Sequence, residues 1–178
     1  MVHIVFSYEK ILEICEKADA LSQQEVDEVI CGYYRKSKYI SLDQLTEKWF
    51  NLYYFKRMEH LIEDAYYAHA TGKYTLSIPV WYIVIEGVLR EFYKDNYQLK
   101  YHWFGNLKSD LKSKVELLEN YFLNYAIKQI DYFFADSDNR KSYNDIERNN
   151  ILHGRELNYG AEVNSIKLIL FLDEIYRL

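Results

Sequence analysis

A single proline, Pro79, interrupts 178 residues that hold only six glycines. Folds built of many strands need many turns, and turns draw on both residue types, so this scarcity excludes an all-β protein. Apolar residues instead recur at three- and four-residue spacing along most of the chain, the period of helices with one buried face. Hydrophobic residues make up 49% of the chain and charged residues 28%, enough to bury a core and to exclude disorder throughout. The expected fold class is all-α, an antiparallel helical bundle with a short N-terminal helical extension.

Residues 8–38 read as two short amphipathic helices broken at Leu21-Ser22-Gln23, where Ser22 and Glu25 form a capping-box pattern. The cluster Ser37-Lys38-Tyr39-Ile40-Ser41 ends that piece and divides an acidic extension, residues 1–41, from the bundle, residues 42–178. A long helix is expected from Leu42 to His69, burying Leu45, Trp49, Leu52, Tyr53, Met58, Leu61, Ile62 and Ala65 and closed by Gly72. The next starts near Ser77, with Pro79 in its first turn, where a missing N–H is harmless. From Ile78 to Phe92 it is apolar almost all round, as the central helix of a bundle should be.

An aromatic loop over residues 96–107 and a third long helix from Lys108 to Phe134 follow, the latter with Ile130 and Phe133 facing inward. After a polar loop at 136–141 come a short helix from Ser142 to His153, a turn holding Gly154 and Gly160, and a last apolar helix from Glu162.

No basic leader with an apolar core opens the chain, and no stretch approaches the ~20 apolar residues of a membrane span, so a cytoplasmic protein is expected. Cys15 and Cys31 cannot make a disulfide framework or a zinc pattern and read as small buried hydrophobes in a reducing compartment. Residues 1–30 carry seven acids against Lys10 and Lys17, and the rest of the chain balances. Within that balance, residues 90–114 hold six bases (Arg90, Lys94, Lys100, Lys108, Lys112, Lys114) against three acids. Such a strip is either a solvated helix face or a place to hold phosphates.

Glycine-rich phosphate loops, His-Glu-x-x-His and Cys-x-x-Cys are all absent, and the five histidines are scattered. No metal or other cofactor is expected. The short helix before Gly154 stands out instead. Arg148-Asn149-Asn150 and His153 occupy positions that a bundle helix fills with Leu or Ala, and consecutive asparagines weaken a helix. Functional sites tend to lie at such breaches of folding logic.

The run Arg148-Asn149-Asn150-Ile151-Leu152-His153-Gly154 resembles the Arg-polar-x-x-x-His signature of HEPN domains, with four residues between Arg148 and His153 and Asn149 at the polar position. The context is similar too: an apolar helix containing Ile85-Glu86-Gly87-Val88-Leu89-Arg90 precedes it, and Tyr159, Asn164 and a closing apolar helix follow. The resemblance covers roughly residues 45–178. It implies metal-independent endoribonuclease activity in a homodimer whose two motifs face each other. Many members are toxins or antiviral effectors that cleave RNA under restraint by a partner protein. Others have lost activity and serve as dimerisation, RNA-binding or protein-binding modules.

The chemistry stands beside that resemblance. Metal-free RNA cleavage must deprotonate a 2′-hydroxyl, stabilise a crowded phosphorane and protonate the leaving 5′-oxygen. Histidine moves protons near neutrality, and arginine offers a fixed fork of donors to phosphate oxygens. One imidazole is acid or base at a given instant, so two copies brought together by dimerisation answer the need for both. Five positions along a helix turn by about 500°, so Arg148 and His153 stand some 140° apart, whereas Asn149 shares a face with His153. Asn149 is therefore placed to orient the imidazole or bind phosphate.

Glu86 is the one charge between Ile78 and Leu89, and an unpaired buried carboxylate is costly. It is expected to bond Arg148 or His153 and fix the site from below, or else to pair with Arg90 at the bundle surface. The candidate site is thus Arg148, His153, Asn149 and Glu86. Base stacking by His102 in the aromatic loop competes with simple loop packing, and His60 and His69 read as surface or core-edge residues.

Overall fold

The structure, a computed structural model, describes residues 21–36, 38–96, 105–107, 109–110, 112–113, 121–134 and 146–177. Eight helices order the described residues: α1 (Gln23–Lys36), α2 (Ile40–Trp49), α3 (Tyr53–Lys56), α4 (Glu59–Ala70), α5 (Tyr74–Asn96), α6 (Tyr121–Phe133), α7 (Arg148–Leu152) and α8 (Glu162–Tyr176). None of the described residues is in a strand, and the all-α expectation holds. Two units divide the chain, residues 1–48 and 49–178.

In the first unit, α1 starts as its sequence signals. Ser22 N–H donates to Glu25 Oε2 at 2.7 Å, and Glu25 N–H returns a bond to Ser22 Oγ at 3.4 Å. Two otherwise unmet helix-end groups are satisfied reciprocally. Cys31 and Tyr34 are its buried residues. The chain then reverses through Lys38 and Tyr39, both left-handed (φ 51° and 61°) although neither is glycine. The expected helix before Leu21 and Cys15 lie outside the described residues.

In the second unit, α5 is the central element and packs against α4 and α8, with α3 and α7 also touching it. Ile78, Trp81, Tyr82, Val84, Ile85, Val88 and Leu89 are all buried, which accounts for its apolar run. Aromatic rings fill the core in groups: Trp49 meets Trp81 edge to face at 6.4 Å and Phe55 at 5.5 Å, and Phe133 lies against Phe171 at 5.1 Å. Asp173 is buried on α8, but Trp49 Nε1–H donates to its Oδ1 (3.2 Å) and Arg177 Nη2–H to its Oδ2 (2.7 Å).

Several boundaries differ from expectation. The long helix expected over residues 42–69 is three helices, broken around Leu52 and Met58. Leu45, Trp49, Ile62 and Ala65 are buried as expected, but Leu52 and Tyr53 are exposed because the break turns them outward. Helix α5 begins at Tyr74 rather than Ser77, which leaves Pro79 inside it. The carbonyl that Pro79 cannot serve, that of Thr75, accepts instead from the Tyr159 hydroxyl at 3.1 Å. Residues 105–107 are helical rather than loop. The short helix starts at Arg148, not Ser142; residues 142–145 and the polar loop at 136–141 lie outside the described residues. No helix among the described residues is long and apolar enough to cross a membrane.

Candidate active site

The site is built where α7 meets α5. Tyr82, buried on α5, donates its hydroxyl to the Ile146 carbonyl just before α7. Burial pushes the Tyr82 phenol far above its usual range, with the nearby Tyr132 and Glu147 adding to the shift, so it stays a donor. Glu147, extended at the N-cap (φ −68°, ψ 126°), accepts from Asn150 Nδ2 at 3.1 Å. Asn150 thus uses its side chain to fasten this single turn, which explains one polar residue at a position that a bundle helix fills with Leu or Ala.

Arg148 opens α7 and is gripped from three sides. Its Nη2 donates to Glu86 Oε2, its Nη1 donates to Asn149 Oδ1 at 3.0 Å, and its guanidinium carbon lies 5.9 Å from the Phe134 ring centre. Ion pair, amide bond and aromatic face together fix one orientation of the fork. Of the partners considered for Glu86, Arg148 is the one it meets, while Arg90 is exposed. Asn149 contacts the guanidinium through its side chain and serves His153 only through its backbone carbonyl, which accepts the His153 N–H at 3.1 Å.

His153 follows α7 as its C-cap (φ −93°, ψ 5°) and is exposed. No hydrogen bond engages its imidazole among the described residues. Glu86, Arg148 and Asn149 therefore form one cluster, and no side-chain hydrogen bond among the described residues ties His153 to it. Gly154 continues at φ 68°, a conformation that glycine adopts without strain. Its N–H bonds Ile151 O at 3.0 Å and the Arg155 N–H bonds Asn150 O at 2.8 Å, the paired closure of a helix C-terminus.

The next segment is strapped back onto α5. Glu156 is buried and its Oε1 accepts the Asn158 N–H at 2.5 Å. Tyr159 reaches Thr75, and Asn164 Nδ2 holds the Tyr159 carbonyl at 2.9 Å. Gly160 lies so close to Thr75 Cγ2 that an added Cβ would sit 2.5 Å from it. Tyr159 and Asn164, which accompany the motif in sequence, thus fix the loop that follows it in space.

His69 departs from the sequence expectation. It is fully buried, not a surface or core-edge residue, and its Nδ1 lies 2.9 Å from Ser165 Oγ. Ser165 Oγ also accepts from Trp81 Nε1 (3.2 Å) and lies 3.0 Å from Ser77 Oγ, whose hydroxyl donates to Ala65 O at 2.9 Å. Burial lowers the imidazole to about 4. This cluster is sealed in the core and built to hold α4, α5 and α8 together. Residues of the site that the sequence did not single out are Tyr82, Phe134, Glu147 and Arg155; only Arg155, next to the helix-ending glycine, carried a local signal.

Of the expected basic strip, Arg90, Lys94 and Lys112 are exposed, while Lys100, Lys108 and Lys114 lie outside the described residues, as does the separate base-stacking candidate His102. Among the described residues no three His, Cys, Asp or Glu side chains gather closely enough to hold a metal ion. Comparison of the chain with protein-family models, with curated proteins and with solved structures finds no match.

Proposed function

We propose that this protein is a HEPN-like, metal-independent endoribonuclease that acts as a homodimer in the cytoplasm, in the manner of a toxin or antiviral effector held in check by a regulatory protein. The observation that carries this reading is the clamped guanidinium of Arg148 at the start of the same one-turn helix that ends at the exposed imidazole of His153. A cation fixed by Glu86 and Asn149 needs no reorganisation to stabilise charge that develops on a phosphorane. An exposed imidazole at the end of a one-turn helix is reachable by a polynucleotide and can exchange protons with it.

In the proposed reaction the RNA 2′-oxygen attacks the adjacent phosphorus as one His153 takes its proton. The bond from phosphorus to the 5′-oxygen breaks as the His153 of the second copy protonates that oxygen. The products are a 2′,3′-cyclic phosphate and a 5′-hydroxyl. The Nη hydrogens of Arg148 that Glu86 and Asn149 leave free face the equatorial oxygens, while the buried Nε takes no part. Glu86 and Asn149 are positioning residues for this guanidinium.

Exposed apolar side chains support the dimer. Leu76 (61% exposed) and Ile83 (48%) lie two turns apart on α5, and Leu152 (37%) on the neighbouring α7. Surfaces of this kind are candidates for cover by a second chain. A second reading, a non-catalytic dimerisation or binding module, is favoured by the engagement of Arg148 with Glu86, which leaves less of the fork for substrate. Incubation with single-stranded RNA in chelator separates the two. Cleavage to cyclic-phosphate ends, lost in His153→Ala, supports the nuclease; intact RNA with the wild-type dimer supports the module.

A further inference from the structure

The turn after α7 carries a second cation. Gly154 at φ 68° sends the chain back over α7, and the 2.8 Å bond from Arg155 N–H to Asn150 O fixes where residue 155 leaves the helix. Two consecutive trans peptides span at most about 7.6 Å between α-carbons, so the backbone of Arg155 lies within that distance of His153. Arg155 is exposed, and no hydrogen bond or ion pair engages its guanidinium among the described residues. Its acidic neighbour Glu156 is buried and turned to the Asn158 N–H, which removes the nearest competitor along the chain.

The two arginines flanking His153 therefore differ in kind. Arg148 is clamped in place by Glu86 and Asn149. Arg155 is free to follow a flexible ligand. A clamped donor suits charge that appears only as bonds change, whereas a mobile exposed guanidinium suits a phosphate already charged in the ground state.

We propose that Arg155 anchors the RNA chain by gripping a backbone phosphate next to the scissile one, so that it sets substrate affinity while Arg148 and His153 set the rate. This inference rests on the nuclease reading of the same site. The ligand it names is single-stranded RNA, recognised through phosphate rather than base edges.

Two measurements test it with the full chain. Steady-state cleavage of a labelled single-stranded oligoribonucleotide by Arg155→Ala should show KM raised about tenfold with kcat within twofold, the pattern of weakened uniform binding. Anisotropy of the same oligonucleotide on His153→Ala, with and without Arg155→Ala, should show a slope of log affinity against log salt shallower by about 0.7, the change expected when one phosphate fewer is neutralised. Arg155→Lys should keep that slope. Unchanged KM and slope in Arg155→Ala, with an active wild type, would overturn the anchor and leave the nuclease reading standing; so would a fall in kcat at constant KM. RNA bound but uncleaved by the wild type, with the slope still reduced in Arg155→Ala, supports the anchor and removes the nuclease. A wild type that neither binds nor cuts RNA removes both.

Discussion

Glu86 and Arg148 illustrate how one side chain decides the use of another. Both are partly exposed, so their ion pair contributes only about 1 kcal/mol to stability. Its larger effect is on geometry, because a planar fork held by a carboxylate and an amide has little freedom left. On the proposed nuclease reading, Glu86→Gln should cut kcat of RNA cleavage by about tenfold to a hundredfold, with KM and melting temperature nearly unchanged. Arg148→Lys should not restore the rate of wild type, since an ammonium cannot bridge Glu86 and Asn149 as the fork does; steady-state kinetics on both variants measures this. The pairing was legible in outline, because a lone carboxylate in an apolar run must find a cation. That Asn149 serves the guanidinium rather than the imidazole was not, since it depends on side-chain direction at the first turn of α7.

Single elements were legible where their signals are local. Ser22 with Glu25 marks the start of α1, and the glycine after His153 marks the end of α7. The signals failed where distant chain settles the matter. Nothing near Pro79 announces that Tyr159 will serve the Thr75 carbonyl, so the true start of α5 at Tyr74 was hidden. No glycine or proline lies between residues 42 and 71, so the breaks at Leu52 and Met58 left no mark in composition. The same strap yields a prediction for the loop. Gly160→Ala forces a methyl into Thr75 Cγ2 and should destabilise the protein by about 1–3 kcal/mol, as overpacking does. Adding Thr75→Ser, which removes that methyl, should return most of the loss in denaturant melts, whereas Thr75→Ser alone should have a smaller effect.

At the scale of the molecule, the burial of His69 makes stability sensitive to acid. Its imidazole titrates near 6.5 in the unfolded chain and at about 4 in the fold, so between those values the unfolded state binds the extra proton. Stability is full above about pH 6.5 and falls as pH drops toward 4, by roughly 3 kcal/mol at the lower end. Urea unfolding at intervals across this window should show the slope, flattened in His69→Gln and retained in His60→Gln, whose imidazole is exposed. The hydrogen-bond chain also fixes a tautomer. If Trp81 donates to Ser165, Ser165 to Ser77 and Ser77 to the Ala65 carbonyl, only the Nδ1–H form of His69 completes the set. Nitrogen chemical shifts of the His69 ring should report Nδ1 protonated at neutral pH.

Ser165 gives that chain its most consequential atom. It differs from alanine by one oxygen, so a ranking by size or hydropathy would count Ser165→Ala among the mildest changes on α8. Connectivity ranks it otherwise: that oxygen accepts from the Trp81 indole N–H and joins His69 Nδ1 to the Ser77 hydroxyl, so its removal breaks three contacts at once in a space that solvent does not reach. A random library selected for folded protein should thus tolerate swaps among leucine, isoleucine and methionine along this helix while purging the smallest edit at position 165.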